Sequence, residues 1–265
     1  MKRIEVRGLD DPGIRVYTGL NEKQVKRIYE PRPGLFICES EKVIRRALEA
    51  GYEPESFFAD AAKEKEARAL IGDREDVCLY LCDAETMRHI TGYALTGGIL
   101  AALKRRPLPK AEKLLETASN IVLLDDVENP TNVGAIFRSA AALGADAVLL
   151  TAECADPLYR RAARVSMGSV FQIPWTQVSE DSLTAWKRMG VPLIALALSE
   201  DAREIDDPGI RALSKKILIL GNEDHGVRPS LLSKCDFRIK IPMQKNVDSL
   251  NVAAASAVAF WTLFR

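Results

Sequence analysis

Five short apolar runs in the second half of the chain, Ile121 to Leu124, Ala147 to Leu150, Leu193 to Leu198, Ile217 to Leu220 and Phe237 to Ile241, are separated by helical patterns. Runs rich in Leu, Ile and Val without polar alternation are buried on both faces, as in a parallel sheet covered by helices on each side. In such sheets ligands bind beyond the carboxyl ends of the strands, so chemistry is expected in the loops that leave these runs.

The first half reads as a smaller α/β layer. Strands are expected at Leu35 to Cys38, Ser56 to Ala59, Val77 to Leu81 and Gly98 to Leu103, with helices over 41–50, 62–71 and 84–90. From Lys104 to Lys113, five basic residues accompany Pro107 and Pro109, a composition that disfavours helix and suits an exposed connector. The expected division is an N-terminal domain over 1–107, a linker over 108–117 and a second domain over 118–265.

Composition narrows the function. No stretch reaches the roughly 20 uncharged apolar residues of a bilayer span, and the start, Met1-Lys2-Arg3-Ile4-Glu5, lacks a signal peptide's apolar core, so a cytoplasmic protein is expected. Cys38, Cys78, Cys82, Cys154 and Cys235 contain no C-x-x-C pair and read as reduced thiols, with no metal site. Two histidines give a hydrolase triad little material, and neither a P-loop nor a glycine-rich dinucleotide fingerprint is present. Lys plus Arg equals Asp plus Glu at 37 each, so a nucleic-acid partner would have to use local clusters such as Lys104-Arg105-Arg106 or Arg160, Arg161 and Arg164.

Three loops are unusual. The first runs from Asp125 through Asn129, Pro130 and Asn132 into a helix that carries Gly134 and Arg138. Asn132 is a natural N-cap, and Arg138 would lean over the bare Gly134 beside the free N–H groups of the first turn, which suits a phosphate. The second loop, Gly221-Asn222-Glu223-Asp224-His225-Gly226, offers glycines for close backbone approach and a carboxylate. The third runs from Ile241-Pro242-Met243 to Ser249-Leu250-Asn251-Val252, where Ser249 is a candidate cap. The closing helix, Leu250 to Phe264, is apolar on nearly every face and calls for more than one covering neighbour, including a second subunit.

Together these segments resemble the SpoU family of RNA ribose methyltransferases in the SPOUT class. The resemblance rests on Asn129-Pro130-x-Asn132-x-Gly134-x-x-x-Arg138, on Gly221-Asn222-Glu223 with Gly226, and on Ile241-Pro242-Met243 with Ser249-Leu250-Asn251-Val252. It implies a C-terminal parallel-sheet domain tied in a trefoil knot. The segment around Gly34-Leu35-Phe36 is similar to the start of the family's N-terminal substrate-binding domain, an α/β fold like ribosomal protein L30e. Further implications are S-adenosylmethionine as cofactor, methylation of a ribose 2′-hydroxyl of rRNA or tRNA, and a homodimer. By the same analogy Asn132, Arg138, Glu223, Ser249 and Asn251 line the reaction site, and Gly221, Asn222, Ile241, Met243 and Leu250 hold the cofactor.

The family commonly has glycine where Asp224 and Lys245 stand, which puts cofactor affinity in question. Two alternatives stay open: a non-catalytic RNA-binding protein that has lost the cofactor, and methylation of a base.

Overall fold

The structure, a computed structural model, describes every residue except 7, 9, 31, 92–96 and 246–248, and the side chains of 90 and 91. The chain forms two compact units, one of Met1–Pro107 with Leu158–Phe171, the other of Leu108–Pro157 with Gln172–Arg265.

In the first unit, β1 (Lys2–Glu5), β2 (Leu35–Glu39), β3 (Pro54–Asp60), β4 (Cys78–Cys82) and β5 (Ile99–Lys104) form a mixed sheet in the order β1-β4-β3-β5-β2. Helices Glu41–Glu49, Glu64–Ile71 and Ala84–Thr91 lie where apolar periodicity puts them. Phe57, Phe58, Leu79, Leu100 and Leu103 are fully buried. A register shift between Pro54 and Ser56 interrupts the β3–β5 ladder. Tyr17 closes the gap: its hydroxyl donates to the Ser56 carbonyl at 2.8 Å and accepts from the Ala102 N–H at 3.0 Å. Burial pushes the phenol well above its ordinary range, so it stays a donor.

The segment Leu158–Phe171 belongs to this unit. Arg160 Nε and Arg164 Nη1 reach the two oxygens of Glu39 at 2.8 and 3.1 Å, where the carboxylate is buried at the end of β2. Phe171 packs its ring on Phe36. These arginines therefore neutralise a buried charge in their own unit. The other basic cluster is engaged as well: Lys104 pairs with Glu53, Arg105 Nε donates to the Leu35 carbonyl, and Arg106 stacks 3.9 Å from the Tyr52 ring centre.

In the second unit, β6 (Asn120–Leu124), β7 (Ala147–Leu150), β8 (Trp175–Gln177), β9 (Leu193–Leu196), β10 (Arg203–Glu204), β11 (Lys216–Leu220) and β12 (Phe237–Lys240) form one sheet, ordered β10-β12-β9-β11-β6-β7-β8. Every pairing is parallel. Of the expected linker over 108–117, only 108–110 run exposed outside a helix. Pro107 and Pro109 delay the helix only to Ala111–Thr117, whose Ala111 and Leu115 join the core with Ile121 and Ile217. Pro109 is tied down too, its carbonyl accepting from Thr176 Oγ1 at 2.7 Å.

Helix Pro130–Ala142 buries Val133, Ile136, Phe137 and Ala140, with Phe137 edge-on to Trp175, and packs against helix Val252–Leu263. The closing helix is covered on one side only. Ala255, Ala259, Phe260 and Leu263 are buried, whereas Val258 and Trp261 are exposed.

Candidate active site

The three loops leave β6, β11 and β12 at the same carboxyl edge of the parallel sheet. At the exit of β6, Asp125 is fully buried and receives Arg228. Asp126 turns the chain with a left-handed φ of 63°, its N–H donating to Thr151 Oγ1 and its carbonyl accepting from Asn222 Nδ2 at 2.8 Å. Non-glycine residues adopt that conformation rarely, and Asp is among those that tolerate it best.

The helix that follows is capped by Asn129, whose Oδ1 accepts from the Thr131 N–H, with Pro130 as its first residue. Asn132 is therefore not the cap. It sits inside the first turn, buried, with its side chain free for other partners. Its Nδ2 donates to Glu223 Oε1, and its Oδ1 accepts from Asn251 Nδ2 at 3.1 Å. Asn251, and not Ser249, caps the closing helix, its Oδ1 accepting from the Ala253 N–H at 3.0 Å.

The second loop is a closed hairpin. Asn222 and Gly226 exchange both backbone hydrogen bonds at 3.0 Å, and Asn222 Oδ1 accepts from the Asp224 N–H. A Cβ at Gly221 would stand 2.2 Å from Gly226 C and Val227 N, so this glycine is required by the chain's own backbone. Gly226, at φ +71°, lets the hairpin close. Among the described residues the non-glycine positive φ values belong to Ser40, Asp126 and Met167. Asp224 and Lys245, where the resemblance leads one to expect glycine, thus do not enter the left-handed region. His225 has a local partner, with Nε2 3.3 Å from Asp126 Oδ2.

The structure joins Asn132, Glu223 and Asn251 directly, while Asn222 is tied to the Asp126 carbonyl instead. It does not join the rest. Arg138 is exposed and has no ion-pair or hydrogen-bond partner among the described residues, and the same holds for the exposed Ser249. Ile241 and Met243 are half-buried and Leu250 is exposed. The part of the third loop at 246–248 lies outside the described residues. Sequence reading missed Asp125, Asp126 and Arg228, which brace the hairpin; two consecutive acids at the end of a buried strand were the available signal.

The model of the SpoU rRNA methylase family matches residues 119–261. The chain belongs to the SpoU rRNA methylase family. An uncharacterized tRNA/rRNA methyltransferase from Mycobacterium bovis is 34% identical over 259 residues, spanning 95% of this SpoU methylase and 88% of that protein. The 23S rRNA (guanosine(2553)-2′-O)-methyltransferase of Bacillus subtilis is 35% identical over 153 residues, 57% of this chain and 60% of its own. An AdoMet-bound rRNA methyltransferase from Sinorhizobium meliloti superposes with a TM-score of 0.82 at 25% identity, covering 98% of this chain and 97% of that one. The methyl donor of SpoU methylases is S-adenosylmethionine. Among the described residues no helix is long and apolar enough to cross a membrane.

Proposed function

We propose that this SpoU methylase transfers a methyl group from S-adenosylmethionine to a ribose 2′-hydroxyl of rRNA or tRNA. The observation that carries this reading is the cluster of Asn132, Glu223 and Asn251, brought together from three separate loops, with Arg138 on the same helix as Asn132 and left exposed. The Bacillus subtilis relative, named for methylating a guanosine at 2′-O, favours ribose over base.

The donor site is read onto the carboxyl ends of the adjacent strands β12, β9 and β11. There Leu198 and Leu250 are exposed, Ile241 and Met243 are half-buried after β12, and Gly221 and Asn222 follow β11. Apolar side chains together with backbone polar groups fit a ligand that joins a purine to a chain bearing a sulfonium. When bound, the donor supplies an electrophilic methyl on a sulfonium. The protein's part is to aim a poor nucleophile along the line of displacement and to accept its proton. The planar guanidinium of Arg138 offers only donors, so it acts as an anchor for the RNA phosphate and as a local positive field. Ser249 orients the ribose.

The same reading makes the second unit a trefoil-knotted SPOUT domain, supported by the late strand β11 lying between β9 and β6. It makes the first an L30e-like RNA-binding domain, and the functional protein a cytoplasmic homodimer with Val258 and Trp261 at the subunit interface. Transfer of tritium from labelled S-adenosylmethionine to rRNA and tRNA, followed by mapping of 2′-O-methyl positions, tests the assignment. Label on ribose is expected. Label on a base, or cofactor binding without transfer to any RNA, would overturn it.

A further inference from the structure

The chain balances 37 Lys and Arg against 37 Asp and Glu, yet its cations are not spread evenly. Residues 23–33 hold Lys23, Lys26, Arg27 and Arg32 against Glu30 alone, and β5 runs out into Lys104-Arg105-Arg106. The antiparallel pairing of β2 with β5 sets Leu35 opposite Lys104, and the Arg105 N–H donates to the Gly34 carbonyl at 2.8 Å. Gly34 in turn lies against the Lys26 backbone, where a Cβ would stand 2.2 Å from the Lys26 carbonyl oxygen. Both basic stretches therefore meet at the start of β2. Acids at this end of the sheet are already matched: Lys104 pairs with Glu53 and Glu55, and the Tyr29 hydroxyl donates to Glu55. Arg27 and Arg32 are exposed, and their side chains have no hydrogen-bond or ion-pair partner among the described residues.

Arg106 is held differently. It is exposed and lays its guanidinium over Tyr52, 3.9 Å from the ring centre. Tyr52 is itself fixed by steeply tilted contacts with Phe36 at 5.1 Å and Phe171 at 5.4 Å, so the ring cannot turn away. A planar guanidinium that covers a ring with one face keeps its other face for a second flat group. Nucleic acids supply flat groups and phosphates together. Bases in a duplex stack on one another, whereas those of a single strand can be splayed onto a platform. Resting on the function proposed above, we infer that this end of the first unit binds an unpaired stretch of the RNA substrate. One base stacks on Arg106 over Tyr52, and the flanking phosphates meet Arg27 and Arg32. These residues take no part in the transfer; they select RNA by the state of its strand.

The test uses the full chain and an unstructured oligoribonucleotide of about ten nucleotides carrying 2-aminopurine, compared with a duplex of the same sequence. The single strand should bind more tightly than the duplex at equal salt, with its 2-aminopurine fluorescence quenched. Arg106→Met keeps a stem on Tyr52 without the flat cation, and should lose the quenching and about tenfold in affinity. Arg106→Lys keeps the charge, so it should lose the quenching while holding the salt dependence. Arg27→Gln with Arg32→Gln should make the slope of log K against log salt shallower by about 1.4, or about 0.7 for each phosphate contact, with the quenching retained. Melting temperature and S-adenosylmethionine affinity should match the unmodified chain in all three. Single-strand affinity within about twofold of the unmodified chain in both Arg106→Met and the double variant, or a duplex bound as tightly as the strand, would overturn the inference. Polyglutamate bound as tightly as the RNA, and lost with the same variants, would mark a site for an acidic protein and overturn it as well. Ribose methylation by the unmodified chain is read separately, so these failures leave the proposed function standing, whereas absence of methylation removes that function whatever the strand-binding result.

Discussion

Arg228 holds Asp125 by two guanidinium nitrogens, Nε at 2.9 Å and Nη2 at 2.7 Å from Oδ1, while its own backbone N–H reaches Oδ2 at 2.9 Å. The carboxylate is fully buried and the arginine partly exposed. The pair ties the end of β6 to the chain leaving the Glu223 hairpin, and the guanidinium is drawn above its ordinary range by this carboxylate. Arg228→Met leaves an uncompensated buried charge, at a cost of about 3 kcal/mol. Urea unfolding should show that loss, and cofactor affinity should fall with it because the hairpin loses its brace.

Gly221→Ala tests the claim that this glycine serves the chain's own backbone. The added methyl meets Gly226 and Val227 at 2.2 Å, and main-chain atoms of a closed hairpin cannot move aside cheaply. Destabilisation of about 1–3 kcal/mol, measured without cofactor, is expected. A glycine needed only for ligand approach would leave the unliganded protein as stable as before.

Removing both arginines from Glu39, in Arg160→Met with Arg164→Met, takes two cationic partners from a buried carboxylate in the first unit. A loss of about 3–5 kcal/mol is expected in that unit's unfolding transition, largely recovered by adding Glu39→Gln. Equal stability of the double variant and the parent would show that these arginines are not structural.

Lys234 first, and then Ser230, hold the Glu180 carboxyl below its ordinary range. A carboxyl whose pKa is lowered on folding contributes stability above its unfolded pKa of about 4.3, and that contribution disappears as pH falls through the folded value. Denaturant midpoints between neutral pH and about pH 3 should therefore fall less steeply in Lys234→Met than in the parent.

Much of the fold was legible because fully buried parallel strands read as unbroken apolar runs, as Ile217 to Leu220 does. Strands that escaped the reading are short or polar: Trp175–Gln177 has three residues, Arg203–Glu204 has two, and Lys2–Glu5 carries charge along an exposed edge. Helix Ala111–Thr117 was hidden by the prolines before it, which delay a helix without forbidding one. That Asn132, Glu223 and Asn251 come together was legible from the resemblance, but which asparagine caps which helix was not. Pro130 in the first helical position already points to Asn129 as the cap, which frees Asn132. The placement of Leu158–Phe171 in the first unit depends on a buried glutamate more than a hundred residues away, and no local pattern encodes that.

The central claim is tested most directly by incubating the purified chain and its Arg138→Ala variant with tritiated S-adenosylmethionine and mixed rRNA and tRNA, then mapping ribose methylation. The account predicts label at a specific 2′-oxygen with the parent, and a loss of about 100-fold or more with the variant, while cofactor binding and melting temperature are retained. Ribose label that persists undiminished in Arg138→Ala would contradict it.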